Sequence, residues 1–343
     1  MTRDAYGVPL LAAAPAPPFV PGPERVGIAI IGRNEGERLG RCLDSVAGLG
    51  RIVYVDSGSI DDSVEHARMR GIDVVNLDMS IPFTAARARN AGFARLQELD
   101  AATAYVQFVD GDCEILPGWI PSALVALERD RSVAAVCGRL RERYPDATIY
   151  NRLCDLEWRT PVGEVTACGG IAMMRASAFR DCAGFDDALI AGEEPELCFR
   201  LRRRGYRILR LADEMALHDA AITCFGQWWR RGTRGGHAYA AIGAKHPALW
   251  RHERRSIVAW GLAIPSVMAI AMAIAGAPAL LFLLAYAALW GRIAARRRRE
   301  DEAGQAALYA SFCVLGKFAE LVGMARYWWN RLRGVPARLI EYK

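Results

Sequence analysis

The segment "AYVQFVDGDCEI" (104–115) ends an apolar run on two aspartates one residue apart, Asp110 and Asp112. Asp-Gly is a common turn signal, so a tight turn is one reading. The other is a pair of carboxylates at a strand end, aiming hard oxygen ligands at one divalent ion. Mg2+ or Mn2+ takes one or two protein carboxylates and fills its remaining positions with phosphate oxygens and water. A site of that kind implies a phosphorylated substrate. Two further polar clusters, "GRNEGE" (32–37) and "DSGSIDDS" (56–63), each read alone as a helix cap or a turn. In "GEEPEL" (192–197), Glu193 and Glu194 precede Pro195, which suits the start of a helix.

The elements between these clusters decide which readings belong together. "RVGIAII" (25–31), "RIVYVD" (51–56), "IDVVNL" (72–77) and "AYVQFVD" (104–110) are short apolar runs of the kind buried on both faces of a sheet. Helix-like stretches at 37–47, 62–70 and 85–97 lie between them. Strand and helix alternating at this spacing predict an α/β domain with a mostly parallel sheet. Ligands of such sheets lie beyond the carboxyl ends of the strands. The clusters after the first, second and fourth strands therefore converge on one edge.

Composition narrows the partners. The chain has 343 residues, 52% of them hydrophobic, with the apolar excess concentrated after position 255. Its net charge of +6 comes largely from arginine clusters: "RLRRRGYR" (200–207), "WWRRGTR" (228–234), "RHERR" (251–255) and "ARRRR" (295–299). Such clusters suit phosphorylated substrates or an anionic membrane face. Nucleic acid is not expected as a partner, since neither zinc-finger spacing nor an aromatic-basic RNA signature is present. The nine cysteines are scattered without a C-x-x-C pair, which argues against a zinc site or a disulfide framework and for a reducing setting. The proline-broken stretch 1–24 is read as a disordered leader, followed by a catalytic domain over 25–250.

Six segments in order resemble family 2 glycosyltransferases, inverting enzymes of the GT-A fold that use nucleotide-sugar donors. They are "IIGRNEGERLGRCLDSV" (30–46), "IVYVDSGSIDDSVEHA" (52–67), "ARARNAGF" (86–93), "VQFVDGDCEILPGWI" (106–120), "CGGIAMMRASAFRDCAGFDD" (168–187) and "AGEEPELCFRLRRRGYRI" (191–208). The resemblance implies that Asn34, Glu35 and Asp56 surround the nucleoside and that Arg89 and Asn90 help position the donor. It implies that Asp110 and Asp112 hold the sugar and a metal-bound diphosphate, with Mn2+ or Mg2+ as cofactor. Glu194 stands where the family usually has an aspartate base, with Glu193 as second choice. His218, in "EMALHDA" (214–220), is either a third metal ligand or a neighbour of the diphosphate. "QWWRR" (227–231) loosely resembles a Q-x-x-R-W segment, which would bring Gln227, Arg230 and Arg231 to the acceptor or diphosphate. Arg231 departs from that pattern by standing in the tryptophan position. Trp228 and Trp229 form an acceptor platform or pack the domain against a membrane.

Residues 256–291 carry no charge. As one helix they would run about 54 Å, against about 30 Å of hydrocarbon. "AGAP" (275–278) interrupts them, so a transmembrane hairpin is expected, 257–275 out and 278–290 back. Arginines on both flanks place its two ends, and the catalytic domain, on the cytoplasmic face of the plasma (inner) membrane. The segment 304–333 carries Lys317, Glu320 and Arg326 and ends in Tyr327, Trp328 and Trp329, which predicts an interfacial helix. The expectation is an inverting transferase moving a sugar to a hydroxyl of a lipid-linked saccharide or surface polysaccharide. The alternatives are a catalytically inactive nucleotide-binding scaffold, sugar-phosphate nucleotidyl transfer and a phosphatase built on Asp110. Nucleotidyl transfer calls for a glycine-rich, Arg-containing loop after the first strand. A phosphatase would put its D-x-D there, not after the fourth.

Overall fold

A computed structural model of the chain describes residues 25–335 and 338–341. The expected leader, 1–24, lies outside the described residues. The strands are β1 (Val26–Gly32), β2 (Arg51–Asp56), β3 (Asp73–Asn76), β4 (Tyr105–Asp110), β5 (Cys113–Ile115), β6 (Val133–Glu142), β7 (Gly163–Glu164), β8 (Ala172–Arg175) and β9 (Arg207–His218). The helices are α1 (Glu37–Ser45), α2 (Ser63–Met69), α3 (Ala85–Leu99), α4 (Trp119–Arg129), α5 (Ile149–Trp158), α6 (Ala176–Asp181), α7 (Glu193–Arg203), α8 (Phe225–Lys245), α9 (Arg251–Val258), α10 (Ile264–Ala275), α11 (Leu283–Arg297) and α12 (Ala303–Leu332).

One sheet runs β3-β2-β1-β4-β8-β6-β9-β5, with β7 beside β9. Its first four strands are parallel, as the alternating pattern predicts, and β8 then enters antiparallel. Ile28, Ile30, Val53, Val55, Val106 and Phe108 are fully buried, which is why these strands read as continuous apolar runs. Helix α3 lies close on β1, where a Cβ at Gly92 would come within 3.0 Å of the Ala29 methyl.

Register places the chemistry. Gly32 pairs with Asp56, and Ile31 pairs with Asp110, so the ends of β1, β2 and β4 lie side by side. On the far side, β5 pairs antiparallel with β9 and sets Cys113 opposite His218. A histidine a hundred residues away is thereby brought beside Asp112.

The C-terminal region forms three helical stretches long and apolar enough to cross a membrane: Arg251–Ala275, Ala277–Arg297 and Ala303–Leu332. The first two turn back on each other at Gly276, whose φ of +68° favours glycine. The third packs along α8. A Cβ on Gly236 would sit 1.9 Å from the Glu320 carbonyl, and one on Gly323 would sit 1.9 Å from that of Thr233. Small residues four apart on both helices allow this backbone approach.

Candidate active site

The edge where β1, β2 and β4 end opens into a cavity of about 350 Å³ lined by Asn34, Glu35, Arg38, Ser57, Arg89, Asp110, Asp112, Glu193 and His218. Its β1–α1 loop is laced to the β2–α2 loop. Asn34 adopts φ +55°, which asparagine tolerates; its Oδ1 accepts from Ile60 N–H at 2.8 Å, and its own N–H donates to Ser59 Oγ. Ser63 Oγ accepts from the Glu35 and Gly36 amides. Glu35 pairs with Arg38 at 3.0 Å. Arg33 stacks over Phe83 at 4.7 Å and pairs with Glu341, so Leu339 and Glu341 reach the rim of this cavity.

Two of the residues expected at the donor are spent elsewhere. The Asp56 carboxylate accepts from Tyr54 Oη, Gly58 N–H and Ser59 N–H, so it builds the turn and does not line the cavity. Asn90 clamps the 185–187 loop through Phe185 O, Phe185 N–H and Asp187 Oδ1.

Arg89 is the centre of the charged floor. It is 3% exposed, donating to Asp110 Oδ1 at 2.7 Å and to Glu193 Oε1 at 2.5 Å. Burial alone would lower its pKa, but the two carboxylates outweigh that and hold the guanidinium more firmly charged than usual. Asp110 is thereby tied to the start of α7.

Asp112 and His218 approach each other directly, with Oδ2 3.1 Å from Nε2. Two cis ligands of an octahedral ion with bonds near 2.1 Å lie about 3.0 Å apart, so this carboxylate and imidazole fit one divalent ion. Cys113 Sγ is close to the same point but donates to Asp112 Oδ1 from the core. Trp158 packs its ring 4.7 Å from that of His218.

A second cavity, about 440 Å³, continues inward past His218 and Asp110 to Gly170, Glu193 and Glu194. Glu194 Oε1 accepts from Cys168 N–H at 2.5 Å and Cys198 Sγ–H at 2.9 Å. Burial raises the Cys198 thiol to about 11, so it stays protonated and donates. Among the described residues Glu194 has no ion-pair partner, whereas Glu193 is engaged with Arg89.

On α8 the structure separates the three expected residues. Gln227 caps the helix start, accepting from Thr223 and Cys224 N–H. Arg230 is exposed, and Arg231 reaches the inner cavity and pairs with Glu157 at 2.7 Å. The residue that reaches both the outer and inner cavities is Arg234, which the motif comparison missed. Helical periodicity was the available signal, since a residue three on from Arg231 shares its face. Trp228 is buried against Phe312 of α12, with ring centroids 4.8 Å apart.

Residues 28–182 match the family model "Glycosyl transferase family 2". A pre-mycofactocin glycosyltransferase of Mycobacterium tuberculosis is 30% identical over 253 residues, 68% of this chain and 51% of the relative. The O-antigen chain rhamnosyltransferase RfbN of Salmonella typhimurium is 24% identical over 188 residues, 50% of this chain and 58% of that protein. The chain thus spans little more than half the length of these relatives. Among solved structures, a mannosyltransferase from Pyrobaculum calidifontis in complex with GDP-mannose and Mn2+ superposes with a TM-score of 0.59 at 18% identity, covering 92% of each chain. This chain therefore carries a glycosyltransferase family 2 domain on a GT-A-like fold, followed by three apolar helices that could span a membrane.

Proposed function

We propose that the protein is a metal-dependent inverting glycosyltransferase that moves a sugar from a nucleoside diphosphate donor to a hydroxyl of a membrane-borne saccharide or surface polysaccharide. The convergence of Asp110, Asp112, His218, Arg89 and Arg234 on one cavity at the strand ends carries this reading. Asn34, Glu35 and Arg38 would receive the nucleoside between the two laced loops. Asp112 and His218 would hold Mn2+ or Mg2+, whose positive charge offsets that developing on the departing diphosphate. Arg234 reaches the same point from α8 and adds a fixed cation there. Asp110, positioned by Arg89, faces the donor sugar.

Glu194 is the base of this reading. Inversion requires a carboxylate on the face opposite the leaving group, taking the acceptor proton as its oxygen attacks. Glu194 lines the inner cavity with its orientation set by two neutral donors, while Glu193 is held by Arg89. A glutamate serves where an aspartate is usual because Cys168 N–H holds its longer side chain in place. The arginine-flanked hairpin would fix the catalytic domain at the cytoplasmic membrane face.

The test is nucleoside diphosphate release from a panel of nucleotide sugars with membrane-embedded protein, Mn2+ or Mg2+ and membrane lipid extract. Donor-specific, metal-dependent release that Asp112→Asn removes is the expected result. No turnover and no binding of any donor would overturn the reading.

A further inference from the structure

Between α5, α8, α11 and α12 lies a third cavity, of about 640 Å³. It adjoins the inner site, the two sharing Glu157, Gly192, Arg231 and Arg234. The three cavities therefore lie side by side from the nucleoside pocket to the apolar helices, with Arg234 lining all three.

The glycines around this third cavity show that its space is built in. On α8 and α12, Gly232, Gly236 and Gly323 are accounted for by contact, since a Cβ at each would meet the opposing helix at 3.0 Å or less. Gly235 and Gly316 line the cavity and are different: an added Cβ would find nothing within 4 Å. Glycine inside a helix costs stability relative to alanine. Neither close packing nor a left-handed backbone explains these two, and their shared effect is to leave the cavity open.

The lining has two characters. Trp228, Tyr239, Trp250 and Phe312 supply aromatic surface. Arg231, Arg234 and Lys317 supply cations; Glu157 pairs with the first and Glu320 with the last. The wall residue Ile293 belongs to α11, which is also a limb of an exposed apolar hairpin, where Ile270, Ile274, Leu281 and Leu284 are each 60% exposed or more. A cationic, aromatic chamber opening between a reaction centre and a lipid-facing surface suits a ligand with an anionic head and a hydrocarbon tail.

We propose that this cavity is the acceptor site and that it binds the phosphate-bearing head of a lipid-linked saccharide, the lipid leaving along α10 and α11. The proposal rests on the transferase reading above. In the step it implies, the saccharide's hydroxyl oxygen attacks the anomeric carbon of the donor in the inner cavity. The new C–O bond forms as the C–O bond to the diphosphate breaks. The bonding pair leaves with the nucleoside diphosphate, and the hydroxyl proton passes to Glu194. The lipid phosphate stays unchanged beside Arg231, Arg234 and Lys317.

The test uses full-length protein in detergent and farnesyl diphosphate as probe, with farnesol and inorganic diphosphate as comparison arms. Binding is read by tryptophan fluorescence in EDTA, which keeps the probe from the metal site. Gly235→Leu and Gly316→Leu, on separate helices, extend into open space and fill the cavity, while Gly316→Ala serves as the mild control. Farnesyl diphosphate should bind wild type at least tenfold more tightly than either comparison compound. Both leucine variants should weaken it at least tenfold, keep the wild-type melting midpoint within a few degrees, and bind the Mn2+–nucleotide sugar normally. Equal binding in the filled variants, or equal binding of farnesol or of inorganic diphosphate, overturns the acceptor assignment alone. Failure of wild type to bind any nucleotide sugar overturns the transferase reading beneath it.

Discussion

Arg89→Met is the most informative single perturbation, because it removes one charge from a buried triad without removing much volume. Methionine is unbranched and fills irregular space, so the dominant change is electrostatic. Arg89 is 3% exposed, with Asp110 at 2.7 Å and Glu193 at 2.5 Å. The two carboxylates differ in what they recover when it goes. The Asp110 side chain is 35% exposed and regains water, whereas that of Glu193 is 9% exposed and does not. Leaving one partner of a buried pair uncompensated costs about 3–5 kcal/mol, and here Glu193 carries most of it. For a domain of this size that lowers the melting midpoint by roughly 6–20 °C. Thermal unfolding of Arg89→Met and Glu193→Gln singly and together measures the coupling. The double variant should recover more than half of the Arg89→Met loss and remain inactive, since Asp110 is no longer positioned. A shift below 2 °C in Arg89→Met, or no recovery in the double variant, would show that the triad is not the electrostatic unit described.

Four further outcomes follow from the same geometry. Asp112→Asn and His218→Ala should each cut metal-dependent diphosphate release at least about 100-fold, near 2.7 kcal/mol of transition-state stabilisation, with weakened Mn2+ binding in titrations. Glu194→Gln should lower kcat by about 10²–10⁴ while leaving nucleotide-sugar affinity intact; a mild effect there beside a severe kcat loss in Glu193→Gln would reverse the assignment. His237, 3% exposed beneath Tyr327, has its pKa lowered to about 4 by burial first and Arg326 second. Its neutral form stabilises the fold above the unfolded value near 6.5, and that stability is lost as pH falls toward 4, about 2 kcal/mol by pH 5. His237→Gln should flatten this slope in melts taken between pH 7 and 5. Reporter fusions after residues 300 and 333 should both read as cytoplasmic; a non-cytoplasmic signal at 333 would mean that α12 crosses the bilayer.

The catalytic half was legible in the sequence to the extent that function and backbone register coincide. Apolar runs and the polar residues ending them identified β1, β2 and β4, and parallel pairing then aligns Gly32, Asp56 and Asp110 without further information. A motif position does not distinguish a residue that meets a ligand from one that shapes the loop meeting it. Asp56 and Asn90 occupy motif positions, yet their polar atoms are used on the 57–59 and 185–187 segments. The helix α8 was harder for a different reason. Its motif match was loose, and the face of a helix is decided by what packs on its other side. Gly232, Gly236 and the α12 contacts turn that face, which leaves Arg231 and Arg234 inward and Arg230 outward.

The same contacts bear on the membrane half, where packing adds to what length and hydropathy give. Thirty residues of α12 are enough to span a bilayer. Its central turns, however, are pressed backbone to backbone against α8, a helix of the catalytic domain that carries Arg230, Arg231 and Arg234. That contact divides α12 into fifteen residues before it (303–317) and nine after it (324–332), each shorter than the ~20 needed to cross. An interfacial helix satisfies both the contact and the composition. The hairpin meets a similar bound, because Gly261 lies against Lys317 O, where a Cβ would sit at 2.7 Å. Only fifteen residues, 261–275, rise beyond that anchor, about 22 Å at ~1.5 Å each, against a hydrocarbon core of ~30 Å. A limb of that length is shorter than the core, so under the transferase reading it would enter the bilayer and turn at Gly276 within it. Under that reading the hairpin would dip into one side of the membrane and hold the cavity between α8 and α12 at lipid headgroup level, where a lipid-borne acceptor would present its phosphate.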